Sequence, residues 1–130
     1  MKYFDKVKDY LIELEYEIVH EDKEEYLFIV DKEDKGIKNL ILDCEDEILI
    51  MEQHLFNLSG PQPEIYKELL QKNTEIIHGA FAIDETGSRV VFRDTLQLEN
   101  LDLNEIEGSM NSLAFLLSEY SERILKLSQL

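Results

Sequence analysis

Apolar residues recur every three or four positions in three stretches of the chain and alternate with polar ones between them. Tyr3, Val7, Tyr10 and Leu14, with Phe4 and Leu11 beside them, predict an amphipathic helix ending near Glu15. The rhythm then changes. Glu17–Glu21, Tyr26–Asp31, Ile37–Cys44 and Ile48–Leu55 read as strands separated by charged, turn-prone breaks, which is a meander of three or four strands. Ser59-Gly-Pro-Gln-Pro63 breaks the pattern, and Pro63 followed by Glu64 opens a second helix. Its stripe of Ile65, Tyr66, Leu69, Leu70, Ile76 and Ile77 runs to about Ile77, with Gly79 placed to stop it. A hairpin follows, Gly79–Asp84 and Ser88–Asp94 joined by Glu85-Thr86-Gly87, with glycine where a short loop needs a left-handed residue. Thr95–Asp102 leads to the last helix. Asp102 suits its N-cap, Glu105 completes a capping box, and Leu101 can staple to Ile106. Leu103, Ile106, Met110, Leu113, Leu117, Tyr120, Ile124 and Leu127 form a heptad-like seam on a helix roughly 35–40 Å long.

Strict alternation puts Leu40, Leu42, Cys44, Phe81, Ile83, Val90 and Phe92 on one apolar sheet face that three helices can cover. The fold class is therefore α+β: an antiparallel sheet with three helices in a single domain spanning 1–130. The opposite positions are not cleanly polar. Ile41, Leu49, Met51, Ala80, Ala82 and Val91 are apolar, and Tyr26–Val30 is hydrophobic on both sides. A sheet with one face in water alternates more sharply, so the second face is expected to be covered by part of the helices, a second subunit or a partner. The contact residues for a partner or a dimer are Leu27, Phe28, Ile29, Ile41, Met51 and Val91.

Composition narrows the partners. The 130 residues carry a formal net charge of −16, from 29 acids and 13 bases, which repels phosphate backbones and anionic lipid and so disfavours nucleic-acid and membrane binding. The first 14 residues are charged throughout and no apolar run approaches the ~20 residues needed to span a bilayer, which points to a soluble, cytoplasmic chain. Cys44, the single cysteine, fits a reducing compartment.

Catalytic chemistry needs convergent groups, and no motif supplies them. Glycine-rich phosphate loops and a nucleophile elbow are missing, and His20, His54 and His78 fall in different elements without an i, i+4 partner. Asp31-Lys-Glu-Asp-Lys-Gly36 fails as a calcium loop, because Lys35 and Leu42 stand where oxygen ligands are required. Cys44, flanked by Asp43 and Glu45, reads as a buried, inert thiol. Leu113–Leu117 has the form of a Leu-x-x-Leu-Leu docking motif but lies within the helical seam, so it reads as packing. Gly108 marks either close approach of another backbone or a tolerated weak point in the helix. The expectation is a non-enzymatic protein with no cofactor and no metal.

The element order, with Asn73, Gly79-x-Phe81-x-Ile83-Asp84-x-x-Gly87, Val91-x-Arg93-Asp94-x-Leu96 and Leu101-Asp102 in sequence, resembles the type III secretion chaperone-like family. That family includes the class I secretion chaperones of the Tir type and relatives of undefined role, to which the Arg93-Asp94-x-Leu96 stretch is closer. The resemblance implies a homodimeric α+β protein whose apolar strand and helix surfaces hold a segment of a client protein. The alternatives are a regulatory or structural homodimer with no client and an acidic mimic of nucleic acid.

Overall fold

The computed structural model describes residues 1–130. Helix α1 (Phe4–Glu13) leads into strands β1 (Glu17–Asp22), β2 (Leu27–Lys32), β3 (Ile37–Glu45) and β4 (Ile48–Asn57), with a single 3-10 turn at Glu33–Lys35. Helix α2 (Pro63–Asn73), strands β5 (Ala80–Ile83) and β6 (Arg89–Gln97) and helix α3 (Leu103–Leu127) complete the chain. The six strands form one sheet in the order β1-β2-β3-β4-β6-β5, every pair antiparallel. Helix α2 carries the chain past the position of β6, so the β5–β6 hairpin returns β6 to the side of β4 and leaves β5 at the edge.

Local chemistry explains the boundaries. Helix α3 starts where its signals converge: Glu105 N–H donates to Asp102 Oδ1 (2.8 Å) while Asp102 N–H donates to Glu105 Oε1 (3.3 Å), a reciprocal capping box. Leu101 and Ile106 are both buried, as a staple requires. Helix α2 ends at Asn73, four residues before Ile77, where it was expected to end. Ile76 packs on the core from the following turn, while Ile77 is 85 % exposed. Asn73 itself supplies the reason. Its Oδ1 accepts from Phe81 N–H (2.7 Å) and its Nδ2 donates to the Phe81 carbonyl (3.3 Å), so one amide pairs the outward backbone groups of Phe81 as a neighbouring strand would.

Gly79, at φ +82°, could not be replaced without strain, because a Cβ there would lie 2.4 Å from Phe92 Cζ. Asp94 ties β6 to α3 through a hydrogen bond from the otherwise buried Ser109 hydroxyl (2.6 Å). The residues that carried the family resemblance are thus joints of the fold. Gly108 accommodates a side chain: His78 Nε2 lies 3.4 Å from where its Cβ would be.

All three helices pack on one sheet face. Phe4 of α1 stacks on Phe28 at 4.3 Å, and Tyr120 of α3 tilts onto Phe81 at 5.8 Å. Leu40, Leu42, Cys44, Phe81, Val90 and Phe92 are buried there, as alternation predicts, with Ile83 half-buried at the margin. On α3 the buried stripe runs through Ile106, Met110 and Leu113 to Leu116 and Leu127, with Leu117, Tyr120 and Ile124 half-buried beside it. A bridge across α2 and α3 flanks this layer: Arg123 donates twice to Glu68 (2.8 and 2.6 Å), and Tyr120 donates to the same carboxylate. Arg123 holds the Glu68 carboxyl down at about 2, and burial together with the Glu68 hydrogen bond pushes Tyr120 up to about 12.

Candidate functional site: the uncovered sheet face

Register decides which side chains share each face. Leu42 pairs with both Phe28 and Met51, and Cys44 pairs with Leu49, so Phe28, Met51 and Leu49 stand on the helix-covered side and are fully buried. Two of the six expected contact residues, Phe28 and Met51, are therefore corrected to the core. The expectation failed for Met51 and Leu49 because the parity of β4 relative to β3 depends on the turn between them, and Asp46 there takes a left-handed conformation (φ 53°) that alternation cannot foresee.

The other four, Leu27, Ile29, Ile41 and Val91, lie together on the opposite face. Cross-strand rows place Leu27 beside Asp43 and Ile50, Ile29 beside Ile41 and then Glu52 and Arg93, and Val91 between His54 and Ala82. None of Leu27, Ile29, Ile41, Ile50 or Val91 belongs to the contiguous core or packs against it. Leu27, Ile29, Ile41 and Ile50 are half-buried, and Val91 is 5 % exposed. No helix crosses them, so the expectation that part of the helices covers this face is not met. The result is an apolar patch of Leu27, Ile29, Ile41 and Ile50 around Asp43, whose carboxyl is shifted upward by burial and then by Glu45, with Val91 set apart from it by His54 and the Arg93–Glu52 ion pair (3.3 Å).

A second apolar depression, of about 440 Å³, lies between the turn after α2 and the first half of α3, lined by Ile76, Ile77, Gly108, Phe115 and Leu116. Leu113 and Leu116 of the docking-like motif are buried, Leu117 is half-buried, and Phe115 is 67 % exposed on the rim. The motif is packing, as its place in the seam implies. Sequence reading missed the contribution of Ile77 and Phe115, because Ile77 falls in the apolar stripe of the second helix and Phe115 inside the Leu113–Leu117 stretch that reads as packing.

The three histidines remain apart, and no group of three or more histidine, cysteine or acidic side chains is disposed to hold a metal. Cys44 is 3 % exposed, and burial with the neighbouring Asp43 pushes its thiol up to about 11, far from the thiolate a nucleophile requires. No helix is long and apolar enough to cross a membrane.

No curated protein sequence matches the chain. Among solved structures, YbjN from E. coli, a candidate transcription regulator, is similar with a TM-score of 0.71 at 11 % identity, covering 92 % of each chain. A chain of the HopA1–SchA chaperone–effector complex aligns with a TM-score of 0.61 at 15 % identity, over 98 % of this chain and 94 % of that one. The Yersinia pestis type III secretion chaperone SycH, solved with a stable fragment of YscM2, aligns with a TM-score of 0.56 at 17 % identity, over 97 % and 99 %. At such identities these likenesses establish the fold, three helices on a six-stranded antiparallel sheet. The CesT_Tir_1 family model matches residues 1–130 from end to end, and the chain belongs to that family of type III secretion chaperones.

Proposed function

We propose that the protein is a non-enzymatic, cytoplasmic client-binding chaperone that holds a segment of another protein on its uncovered sheet face. The observation that carries this reading is the patch of Leu27, Ile29, Ile41 and Ile50, half-buried apolar side chains on the sheet face that the chain's own helices leave uncovered. A sheet face in water alternates more sharply than this, and clustered apolar side chains on it mark an interaction surface. Two of the structural neighbours, SchA and SycH, were solved with a bound effector or protein fragment, which supports a protein client. Desolvating the patch supplies affinity, while the charge of −16 steers approach and excludes polyanions.

Self-association is the second reading. The α2–α3 depression, with Ile77 at 85 % and Phe115 at 67 % exposure, offers a further apolar surface for a homodimer. Affinity capture from native cell extract tests the client directly, comparing wild type with an Ile29→Ser/Ile41→Ser double variant that melts as a folded protein. A client captured by wild type and lost by the variant supports the reading. Identical captures by both, or a wild type that binds nothing and is fully dimeric, refute it in favour of a homodimer with no client.

A further inference from the structure

The patch ends in a polar notch with one unspent cation. Arg89, at the start of β6, pairs across the sheet with Asn57 of β4, and together with His54, Asn39, Ile29 and Ile41 it lines a depression in the uncovered face. Its Nη1 is shielded from solvent and meets no acceptor, and Arg89 takes part in none of the chain's six ion pairs. Seven of the 13 basic side chains join no ion pair, but Arg89 is the one arginine among them and the one with a nitrogen shielded from solvent and left without an acceptor. A shielded donor left unpaired carries a desolvation cost, so the fold supports this arrangement at its own expense.

Two irregularities of the sheet shape the notch. Strand β3 is broken in register opposite Val30–Lys32, and Asn39 adopts φ +53° with its N–H donating to Asp31 Oδ1 (2.7 Å). Strand β4 is bulged between His54 and Phe56. Bulges re-aim side chains and gather at binding sites. Here they bring Asn39, His54 and Asn57 to the same end of the patch as Arg89. His54 Nε2 donates to Asn57 Oδ1 (2.9 Å), which leaves the Asn57 amide N–H groups free as donors. Of the acids near this end, Asp31 has an oxygen occupied by Asn39, Glu52 is paired with Arg93, and Asp84 Oδ1 accepts from Thr86 and from the backbone N–H groups of Ser88 and Arg89 (3.1 Å), so none forms an ion pair with the Arg89 guanidinium.

We infer that this notch is a carboxylate-binding site, and that its occupant is an aspartate or glutamate side chain of a client segment whose flanking apolar residues lie on Ile29 and Ile41. The planar guanidinium matches a carboxylate in two parallel hydrogen bonds along its Nε–H and Nη2–H edge, Nη1 being shielded, and Asn57 adds a further donor. A phosphate would call for more positive charge than one arginine within so acidic a protein supplies. The site thus sets register: the apolar patch tolerates sliding of a client along the sheet, whereas one fixed ion pair does not. This rests on the client-binding reading above and refines it.

The test uses the full chain, ¹⁵N-labelled, titrated with the blocked tripeptide amide Val-Glu-Val, its Val-Gln-Val counterpart and inorganic phosphate. The expected result is that the glutamate peptide binds about ten-fold more tightly than the glutamine peptide, as charge-assisted pairing implies, and moves the Arg89 Nε–H resonance. In Arg89→Gln the preference disappears, and in Arg89→Lys, which keeps the charge and loses the fork, it is partly restored. The melting temperature of Arg89→Gln is expected to be no lower than wild type; a clear drop would mean that the guanidinium serves the fold and would overturn the assignment. Equal binding of both peptides, with shifts at Ile29 and Ile41 only, would overturn the notch and leave the client-binding face intact. Phosphate binding as tight as the glutamate peptide would make it a general anion site and overturn the carboxylate assignment. If neither peptide moves any resonance of the face, the notch fails, and the capture experiment with Ile29→Ser/Ile41→Ser separately decides the face.

Discussion

Phe28 and Ile29 are adjacent in β2, and the structure assigns them opposite fates, so truncating each to alanine measures the two faces independently. Phe28 is fully buried, stacked on Phe4 at 4.3 Å with rings 7° from parallel. Its removal deletes a large buried side chain and leaves a cavity that the surrounding Leu42 and α1 fill only in part, which costs about 3–5 kcal/mol. Loss of the aromatic pair, about 0.5–1.5 kcal/mol, places Phe28→Ala toward the upper part of that range. Against a total stability of about 5–15 kcal/mol, this removes about a quarter or more. Ile29 is half-buried outside the core. Its alanine variant forfeits only part of the transfer free energy of an isoleucine side chain, about 1 kcal/mol in the isolated chain. Equilibrium urea unfolding followed by far-UV circular dichroism suits a protein without tryptophan and reports both values when run at several protein concentrations. Where the patch is buried by a second copy, the cost of Ile29→Ala rises with protein concentration, while that of Phe28→Ala reflects the core at every concentration. A Phe28→Ala cost below about 2 kcal/mol, or an Ile29→Ala cost equal to it in monomeric protein, would refute the face assignment and with it the candidate site.

Other outcomes follow from single observations. Gly36 and Gly79 both have positive φ, but only Gly79 faces an obstruction; Gly36→Ala should therefore cost about 1 kcal/mol and Gly79→Ala several times more, and similar melting temperatures for the two would contradict the packing of Phe92. Glu68 is held at about 2 from an ordinary 4.5, so its stabilisation is fully present above pH 4.5 and is lost as pH falls toward 2. Allowing for solvent screening of a partly exposed pair, Glu68→Gln should destabilise by about 1–2 kcal/mol at pH 7 and by almost nothing near pH 2, and a pH-independent difference would remove Glu68 as the titrating group. Cys44 should react slowly with a thiol reagent in native protein and rapidly in urea, since burial both hides the thiol and keeps it protonated; rapid native labelling would expose a misplaced β3. Light scattering coupled to size exclusion should give twice the 15.3 kDa chain mass, and a monomer at micromolar concentration would count against self-association.

Sequence alone determined the elements, because their causes are local. The spacing of Val7 and Leu11, the alternation of Leu40, Leu42 and Cys44, and the reciprocal Asp102–Glu105 cap are properties of neighbouring residues, and each reappears where it was expected. Faces of single strands were equally legible. The relation between strands was not, because side-chain parity passes through turns: the left-handed Asp46 set the register that turned Leu49 and Met51 inward, and the close of α2 at Asn73 rested on a hydrogen bond to Phe81 of another element. The candidate site depended on both kinds of cause. Leu27, Ile29, Ile41 and Val91 were recognisable as apolar residues out of place, but only tertiary packing could show that every helix lies on the far side of the sheet. Arg89 was invisible as a site residue, since an arginine after a turn resembles any solvated charge until two bulges and a shared register set it beside His54, Asn57 and the apolar patch.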